Sequence, residues 1–214
     1  MRIKKLVAAL GSALTLCLAT GIARADVIPY SNAGHYNTTT YSFTAATDGE
    51  IIAYIVGGFS AAYVNEIGLL INGSLSAAGF GLNNHTSTLG DSFSLGSVHA
   101  GDSLVFVLHD LSLGQDAYSD PTRNASYDAA GVTGHNHIYS TAYTATSPLL
   151  DGVPAGTYVA FEDLPFPGAD YNYDDESFVF SNVETHPDLP EPGSLVLVGA
   201  ALTGLGLLRR GKAA

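Results

Sequence analysis

Short apolar runs separated by turn residues fill the middle of the chain. Some alternate apolar and polar positions, as TTTYSFTA does at 38–45, and others are continuous, as SLVFVLH is at 103–109. Valine, phenylalanine, tyrosine and threonine are frequent in these runs, and half-buried strands favour those residues. We therefore predict seven strands, at 38–45, 50–56, 67–71, 103–109, 138–144, 157–162 and 177–183.

The residues between the runs indicate how the strands connect. Asp-Gly at 48 and 151, Asn-Gly at 72 and Gly-Asp at 101 are dipeptides typical of tight turns and hairpins. We find no convincing helical period between 26 and 189, and residues 112–137 form the longest predicted loop. The predicted fold is therefore all-β, an antiparallel β-sandwich of jelly-roll-like type.

The first 25 residues have the composition of a secretory signal peptide. Basic residues at positions 2, 4 and 5 precede an apolar run, and Ala23 and Ala25 supply the small residues of a cleavage site. We predict cleavage before Asp26 and secretion across the inner membrane. A lipoprotein leader ending at Cys17 is the alternative, but Leu16 occupies the position where such leaders carry a small residue.

The end of the chain predicts a short transmembrane helix. Residues 193–208 are 16 residues without a charge, and the basic residues Arg209 and Arg210 follow them. At about 1.5 Å per residue such a helix spans roughly 24 Å, slightly short for a bilayer core. The positive-inside rule places the basic tail in the cytoplasm. An amphipathic or buried helix is the alternative, but only Thr203 interrupts the apolar surface.

The order of motifs at this end resembles a known sorting signal. Pro190, Glu191 and Pro192 precede the apolar helix, and Arg209 and Arg210 close it. Over residues 190–212 this pattern resembles the PEP-CTERM sorting signal. The resemblance implies recognition by an exosortase, cleavage near the Pro-Glu-Pro motif, and a Gram-negative host that makes extracellular polysaccharide. It indicates a destination and does not indicate what the ectodomain does.

These patterns divide the chain into four parts. We expect a signal peptide at 1–25, a β-sandwich ectodomain at 26–183, a proline-containing linker at 184–192, and a sorting helix with its basic tail at 193–214. The expected location is the cell surface or the extracellular matrix, with a membrane anchor that is at least transient.

The distribution of charge excludes several kinds of partner. Residues 26–192 contain all 20 acidic residues and one basic residue, Arg123, which gives this part a formal charge of −19. Nucleic acids and anionic membranes repel such a surface, so we expect no nucleic-acid partner. The single cysteine, Cys17, lies in the predicted leader, so the mature protein is expected to have neither a disulfide nor a thiolate metal site.

One segment concentrates this acidity. Six carboxylates lie within the 15 residues 162–176, with no lysine or arginine among them. Converging carboxylates are stabilised by protonation, by water or by a hard cation. We predict a Ca²⁺ site whose ligands are Asp163, Asp170, Asn172, Asp174 and Asp175. It is not an EF-hand, because the glycine and glutamate that an EF-hand loop requires are absent at the corresponding positions. A solvated acidic loop remains the alternative.

The same segment resembles a domain found in secreted bacterial proteins. Over residues 155–183 the pattern FEDL, then D-x-N-x-DD, then FVF resembles the end of a domain of unknown function that is suspected of binding calcium. The resemblance favours a cation in this segment and implies no substrate.

Other candidate chemistry is weaker. His135 and His137 flank Asn136, a spacing that places two rings on one face of a strand, but no third zinc ligand is evident. The common hydrolase, zinc-protease and phosphate-loop motifs are absent, so we predict that the protein is not an enzyme.

We expect a secreted or cell-surface structural or adhesive protein, stabilised by calcium, in or near extracellular polysaccharide. A carbohydrate-binding module is the first alternative, although the chain has no tryptophan. A polysaccharide hydrolase is the second, since two suitably spaced carboxylates suffice for that chemistry. The candidate sugar-stacking residues are Tyr139, Tyr143, Tyr171 and Tyr173.

Overall fold

Eleven β-strands form the framework of the computed structural model, which describes residues 28–132, 135–145 and 147–188. Two short 3-10 helices, Pro121–Ser126 and Pro148–Leu150, complete its regular structure. The strands are β1 (Thr40–Ala45), β2 (Gly49–Gly57), β3 (Asn65–Ile71), β4 (Ser74–Leu75), β5 (Ser92–Val98), β6 (Ser103–Asp110), β7 (Gln115–Tyr118), β8 (Ile138–Tyr143), β9 (Gly156–Phe161), β10 (Glu176–Phe180) and β11 (Val183–Asp188).

The strands form two antiparallel sheets. The first sheet has the order β11-β1-β6-β3-β4, and β7 pairs with the free part of the β6 edge beyond β1. The second sheet has the order β5-β2-β10-β9-β8. Chain neighbours therefore often lie in different sheets: β1 is in the first and β2 in the second, and β10 and β11 are divided in the same way.

Aromatic rings join the two sheets. Phe106 of the first sheet stacks on Phe180 of the second with ring centroids 3.9 Å apart, and Phe43 meets Phe106 edge-on at 5.0 Å. Both belong to one buried cluster that also contains Ile51, Ile67 and other side chains from both sheets. The sheets thus pack face to face, and the predicted all-β sandwich is confirmed.

A second buried cluster covers the outer face of the second sheet. Tyr158, Val179 and Tyr173 lie in it, together with Leu150 of the short helix Pro148–Leu150. Tyr30 packs across Tyr173 with ring centroids 4.9 Å apart. As a result β9 and β10 are buried on both faces, which explains why apolar residues follow one another at 158–161 and 178–180 rather than alternating with polar ones.

The seven predicted strands are all present, and four others were missed. The missed strands, β4, β5, β7 and β11, lie at sheet edges. The predicted loop 112–137 contains β7 and a 3-10 helix, so it is more ordered than its polar composition indicates. The predicted linker 184–192 also begins too early, because β11 pairs with β1 from Val183 to Asp188. The sandwich therefore extends at least to Asp188.

The predicted signal peptide at 1–25, the Pro-Glu-Pro motif and the sorting helix at 193–208 lie outside the described residues. Among the residues that the structure does describe, no helix has the length and apolar character needed to cross a bilayer.

The stacked pair Phe106 and Phe180 gives a direct test of the core. Removing the Phe106 ring leaves a cavity between the sheets, so Phe106→Ala is expected to lower the free energy of unfolding by about 3–5 kcal/mol. Leu75, which is 48% exposed, provides the control: Leu75→Ala should change stability by less than about 0.5 kcal/mol. Urea unfolding measures both. Equal losses for the two variants would contradict the assignment of Phe106 to the shared core.

Candidate functional site

The acidic segment lies at one end of the sandwich, where β9 leaves the second sheet and β10 enters it. The Phe161 carbonyl at the end of β9 accepts a hydrogen bond from the Asp175 amide at 3.2 Å, and Glu176 pairs with Phe161 across the strands. The connection between the strands thus starts and ends with adjacent carboxylates. Glu162 and Asp163 follow β9, and Asp175 precedes β10.

Residues of the first sheet meet this connection. The Asn65 amide Nδ2 donates to Asp163 Oδ2 at 2.7 Å. Tyr127 donates its hydroxyl proton to the Asp163 carbonyl and lies 3.3 Å from Asp110 Oδ2. Asn65 and Asp110 are themselves paired across β3 and β6. We call the set Asn65, Asp110, Asp163, Asp175 and Glu176 the acidic end.

Glu176 lies in the interior at the acidic end. Its side chain is fully buried, and alternation along β10 places it on the same face as Phe178 and Phe180, which point between the sheets. Neither Oε1 nor Oε2 has a hydrogen-bond partner among the residues that the structure describes. Burial, followed by the charges of Asp163, Glu66 and Asp175, raises the Glu176 pKa well above its usual value.

Burial also raises the pKa of the neighbouring carboxyls. The Asp175 pKa rises to about 8 because of burial and the charges of Asp163 and Glu162. The Asp163 pKa rises to about 6 through burial, although its hydrogen bond to Asn65 opposes the shift. The Glu162 pKa rises to about 7 through burial and the charge of Asp170. These groups therefore hold protons at pH values where ordinary carboxyls are ionised.

No lysine or arginine neutralises this charge within the described ranges 28–132, 135–145 and 147–188. Arg123 is the only such residue there, and it pairs with Asp120 at 3.2 Å on the surface. Protons, water or a bound cation are the remaining means of stabilising the acidic end.

The predicted calcium ligands divide into two groups. Asp163 is buried and Asp175 is half-buried, and the Asp163 amide donates to Asp175 Oδ2 at 3.0 Å. Asp170 and Asp174 are exposed, and Asn172 between them is half-buried. The structure thus brings Asp163 and Asp175 into contact and leaves the other three in a surface turn.

Local hydrogen bonds occupy that turn. The Asp170 carboxylate accepts from the backbone amide and the side-chain amide of Asn172, at 3.1 and 3.0 Å, and Asn172 Oδ1 accepts from the Asp174 amide at 3.1 Å. Tyr171 and Tyr173 adopt left-handed backbone angles, with φ of 61° and 55°. Within the part of the chain that the structure describes, no group of three or more histidine and acidic side chains is arranged to hold a metal ion.

Glu162 has a structural contact pattern. Its Oε2 accepts the Tyr171 amide at 2.9 Å, and its Oε1 lies 3.4 Å from the Leu164 amide. The Glu162 carboxyl therefore links the beginning of the connection between β9 and β10 to a residue near its end.

The histidine pair serves the fold. His137 Nδ1 lies 2.9 Å from the Glu162 carbonyl, and its Nε2 lies 2.9 Å from Asp128 Oδ1. Both ring nitrogens therefore already have a polar neighbour inside the fold. His137 then has no nitrogen left for a metal. His135 packs its ring against Tyr36 and Phe166 instead.

The candidate sugar-stacking tyrosines form no exposed platform. Tyr143 and Tyr173 are buried, and Tyr139 and Tyr171 are half-buried against their neighbours. Among the described residues the exposed large apolar side chains are leucines, at positions 75, 111 and 113. A hollow of about 570 Å³ beside the helix Pro148–Leu150 is lined by one carboxylate, Asp151, whereas a glycosidase requires two.

Sequence reasoning missed Asn65, Asp110 and the interior position of Glu176. Asn65 and Asp110 come from strands far from the acidic segment in sequence, so only the sheet pairing brings them to it. The alternation of Glu176 with Phe178 and Phe180 was a readable signal for an inward-facing carboxylate.

Comparison with known proteins adds no assignment: no protein-family model, no curated protein and no solved structure matches the chain significantly.

Two aspartate–histidine pairs permit a matched test of burial. Asp128 and His137 are fully buried, whereas the side chains of His109 and Asp116, 2.6 Å apart, are 29% and 33% exposed. Asp128→Ala leaves His137 without its partner and should cost about 3–5 kcal/mol of unfolding free energy. Asp116→Ala should cost at most about 1 kcal/mol. Denaturant unfolding at pH 7 compares them, and similar losses would refute the buried ion pair.

The raised pKa values predict how stability depends on pH without metal. Between about pH 4 and pH 8 the folded protein holds protons on Glu162, Asp163 and Asp175 that the unfolded chain releases. Stability in EDTA should therefore fall as pH rises through this range, by about 1.4 kcal/mol per pH unit for each extra proton.

Asp175→Asn isolates this effect from the histidines that titrate in the same range. The asparagine oxygen still accepts the Asp163 amide but cannot ionise, so the variant should lose stability less steeply between pH 5 and pH 8. Glu184→Gln, at a residue whose side chain is 61% exposed, should retain the wild-type slope. Identical slopes for Asp175→Asn and wild type would show that Asp175 does not hold the extra proton.

Proposed function

We propose that this chain is a secreted or cell-surface structural or adhesive protein whose β-sandwich is stabilised by calcium. The observation that carries the proposal is the acidic end, where carboxylates from both sheets meet without a lysine or arginine. A bound divalent cation offsets their repulsion and links the two sheets through a shared charge.

The chemistry of the acidic end favours a hard cation. The side chains that converge there offer oxygen atoms, from carboxylates, a tyrosine hydroxyl and the Asn65 amide. Calcium prefers oxygen ligands, whereas zinc prefers nitrogen and sulfur. His137, which contacts the Glu162 carbonyl, already uses both nitrogens. Extracellular fluids also supply calcium at concentrations that weak extracellular sites require.

The two ends of the chain support an extracellular location. The proposal assigns residues 1–25 to a signal peptide and residues 190–212 to a PEP-CTERM-like sorting signal that an exosortase recognises. It assigns 193–208 to a short membrane helix that holds the protein before processing, near extracellular polysaccharide. In the ectodomain, the nested pairs β1 with β11 and β2 with β10 support a jelly-roll-like arrangement.

The alternatives have less support. A carbohydrate-binding module is expected to present aromatic rings on an open face, whereas the four candidate tyrosines lie in the second buried cluster or pack against it. A hydrolase is expected to have two carboxylates across a cleft, whereas at the acidic end Asp163 is buried and the Asp175 carboxylate accepts a hydrogen bond from the Asp163 backbone amide.

Thermal unfolding of the purified protein tests the proposal. A folded-state site at about 100 times its dissociation constant adds roughly 2.7 kcal/mol, which raises the melting temperature by about 5–10 °C. We expect a saturable rise with calcium after EDTA treatment and a smaller rise with magnesium, which dehydrates reluctantly. A flat calcium series at pH 7.5 would refute calcium stabilisation and leave the carboxylates as a protonated and solvated group.

A further inference from the structure

Glu176 is a buried acid, and protonation alone does not satisfy the polar atoms of its side chain. Ionised, its carboxylate is a charge without a partner in the interior, which is strongly unfavourable. Protonated, it loses the charge, but its hydroxyl and its carbonyl oxygen still lack hydrogen-bond partners. Leaving a buried polar group unpaired costs about 1–3 kcal/mol. A ligand that both oxygens coordinate removes the cost of the unpaired charge and the cost of the unpaired polar atoms.

A second unpaired oxygen lies at the same end. Asn65 donates its Nδ2 to Asp163, and its Oδ1 is buried without a partner. Asn65 lies on the face of β3 that carries Ile67 and Leu69 into the core between the sheets. Glu176 points into that core from the second sheet. Asp163, which bonds Asn65, is also the charged group that raises the Glu176 pKa most, after the effect of burial itself.

We propose that Glu176, Asn65 Oδ1 and the Asp163 carboxylate form an internal calcium site between the two sheets. This proposal rests on the proposed calcium-stabilised function and names its ligands. Two carboxylates and one amide are fewer than the 6–8 oxygens that calcium binds, so water completes the shell. The site differs from the surface turn 170–174, where the side-chain oxygens of Asp170 and Asn172 already accept hydrogen bonds from amides of the same turn.

Position in the fold explains why calcium here would stabilise the whole sandwich. Asn65 belongs to the first sheet, Glu176 to the second, and Asp163 to the connection that follows β9. An ion in the surface turn would order only a loop, whereas an ion bound by these three residues cross-links the two sheets. Calcium binding and global unfolding are therefore coupled at this site.

Terbium luminescence locates the ion. Tb³⁺ replaces calcium at oxygen sites and emits when a nearby tyrosine is excited, and the chain has no tryptophan to interfere. Tyr127, whose hydroxyl bonds the Asp163 carbonyl, is the expected sensitiser. Tyr127→Phe should therefore lower the emission at saturating Tb³⁺ at least twofold, and Tyr171→Phe, in the surface turn, should lower it less.

Affinity measurements identify the ligands. Glu176→Gln keeps the shape of the side chain and removes its charge, so we expect Ca²⁺ and Tb³⁺ to bind at least tenfold more weakly. Glu184→Gln, the same change on an exposed strand residue, should bind as wild type. In EDTA at pH 8, Glu176→Gln should melt at or above the wild-type temperature, which also establishes that the variant folds.

Three results would overturn the internal site. Unchanged affinity in Glu176→Gln, combined with lost affinity in Asp170→Asn or Asp174→Asn, would place the ion in the surface turn, and the calcium-stabilised function would stand. Unchanged affinity in all three variants would place it elsewhere. A wild-type protein that binds neither ion would refute the calcium-stabilised function as well, and the interior would then hold only protons and water.

Discussion

The repulsion between carboxylates buried at one end of the sandwich is the constraint on which this structure depends. Asp163 and Asp175 are in contact, Glu176 lies between the sheets, and the raised pKa values show that burial and repulsion act together. Such charge opposes the packing of the sheets at this end, whereas the Phe106–Phe180 stack favours it. We therefore expect stability to depend on pH at the acidic end, where protonation lowers the repulsion between the carboxyls.

The connection between β9 and β10 is built to tolerate this constraint. Glu162 accepts amides from both sides of it, and Tyr173 donates to the Asn136 carbonyl while its hydroxyl oxygen accepts the Asn37 amide. These bonds tie the connection to the outer face of the second sheet, where the tyrosine-rich cluster packs over it. The tyrosine contacts therefore act together with the amides that donate to the carboxyls of Glu162, Asp163 and Asp175, and both hold the acidic residues in place.

The sequence predicts the centre of the fold better than its edges. Seven strands, including the apolar β6, β9 and β10, were found because their burial leaves a continuous or alternating apolar pattern. The four missed strands are short or polar edge strands, and β11 even contains a proline, which the strand rules allow only at edges and bulges. These edge strands form because their backbones pair with a neighbouring strand, and a single sequence does not show which segments pair.

The candidate site shows the same division. The local sequence is enough to find the dense carboxylates at 162–176 and to include Asp163 and Asp175 in the candidate site. The spacing of Asp170, Asn172 and Asp174 is explained instead by hydrogen bonds within one turn. Asn65 and Asp110 reach the site through β3 and β6, which lie far from the acidic segment in the chain. A metal site whose ligands come from one segment can be recognised as a sequence motif. A site whose ligands come from two sheets is marked in the sequence only by an acidic residue at an inward-facing position, without a basic partner. At Glu176 that unpaired acid is the stronger indication of a ligand, because burial without a partner has a free-energy cost that exposed turn carboxylates do not incur.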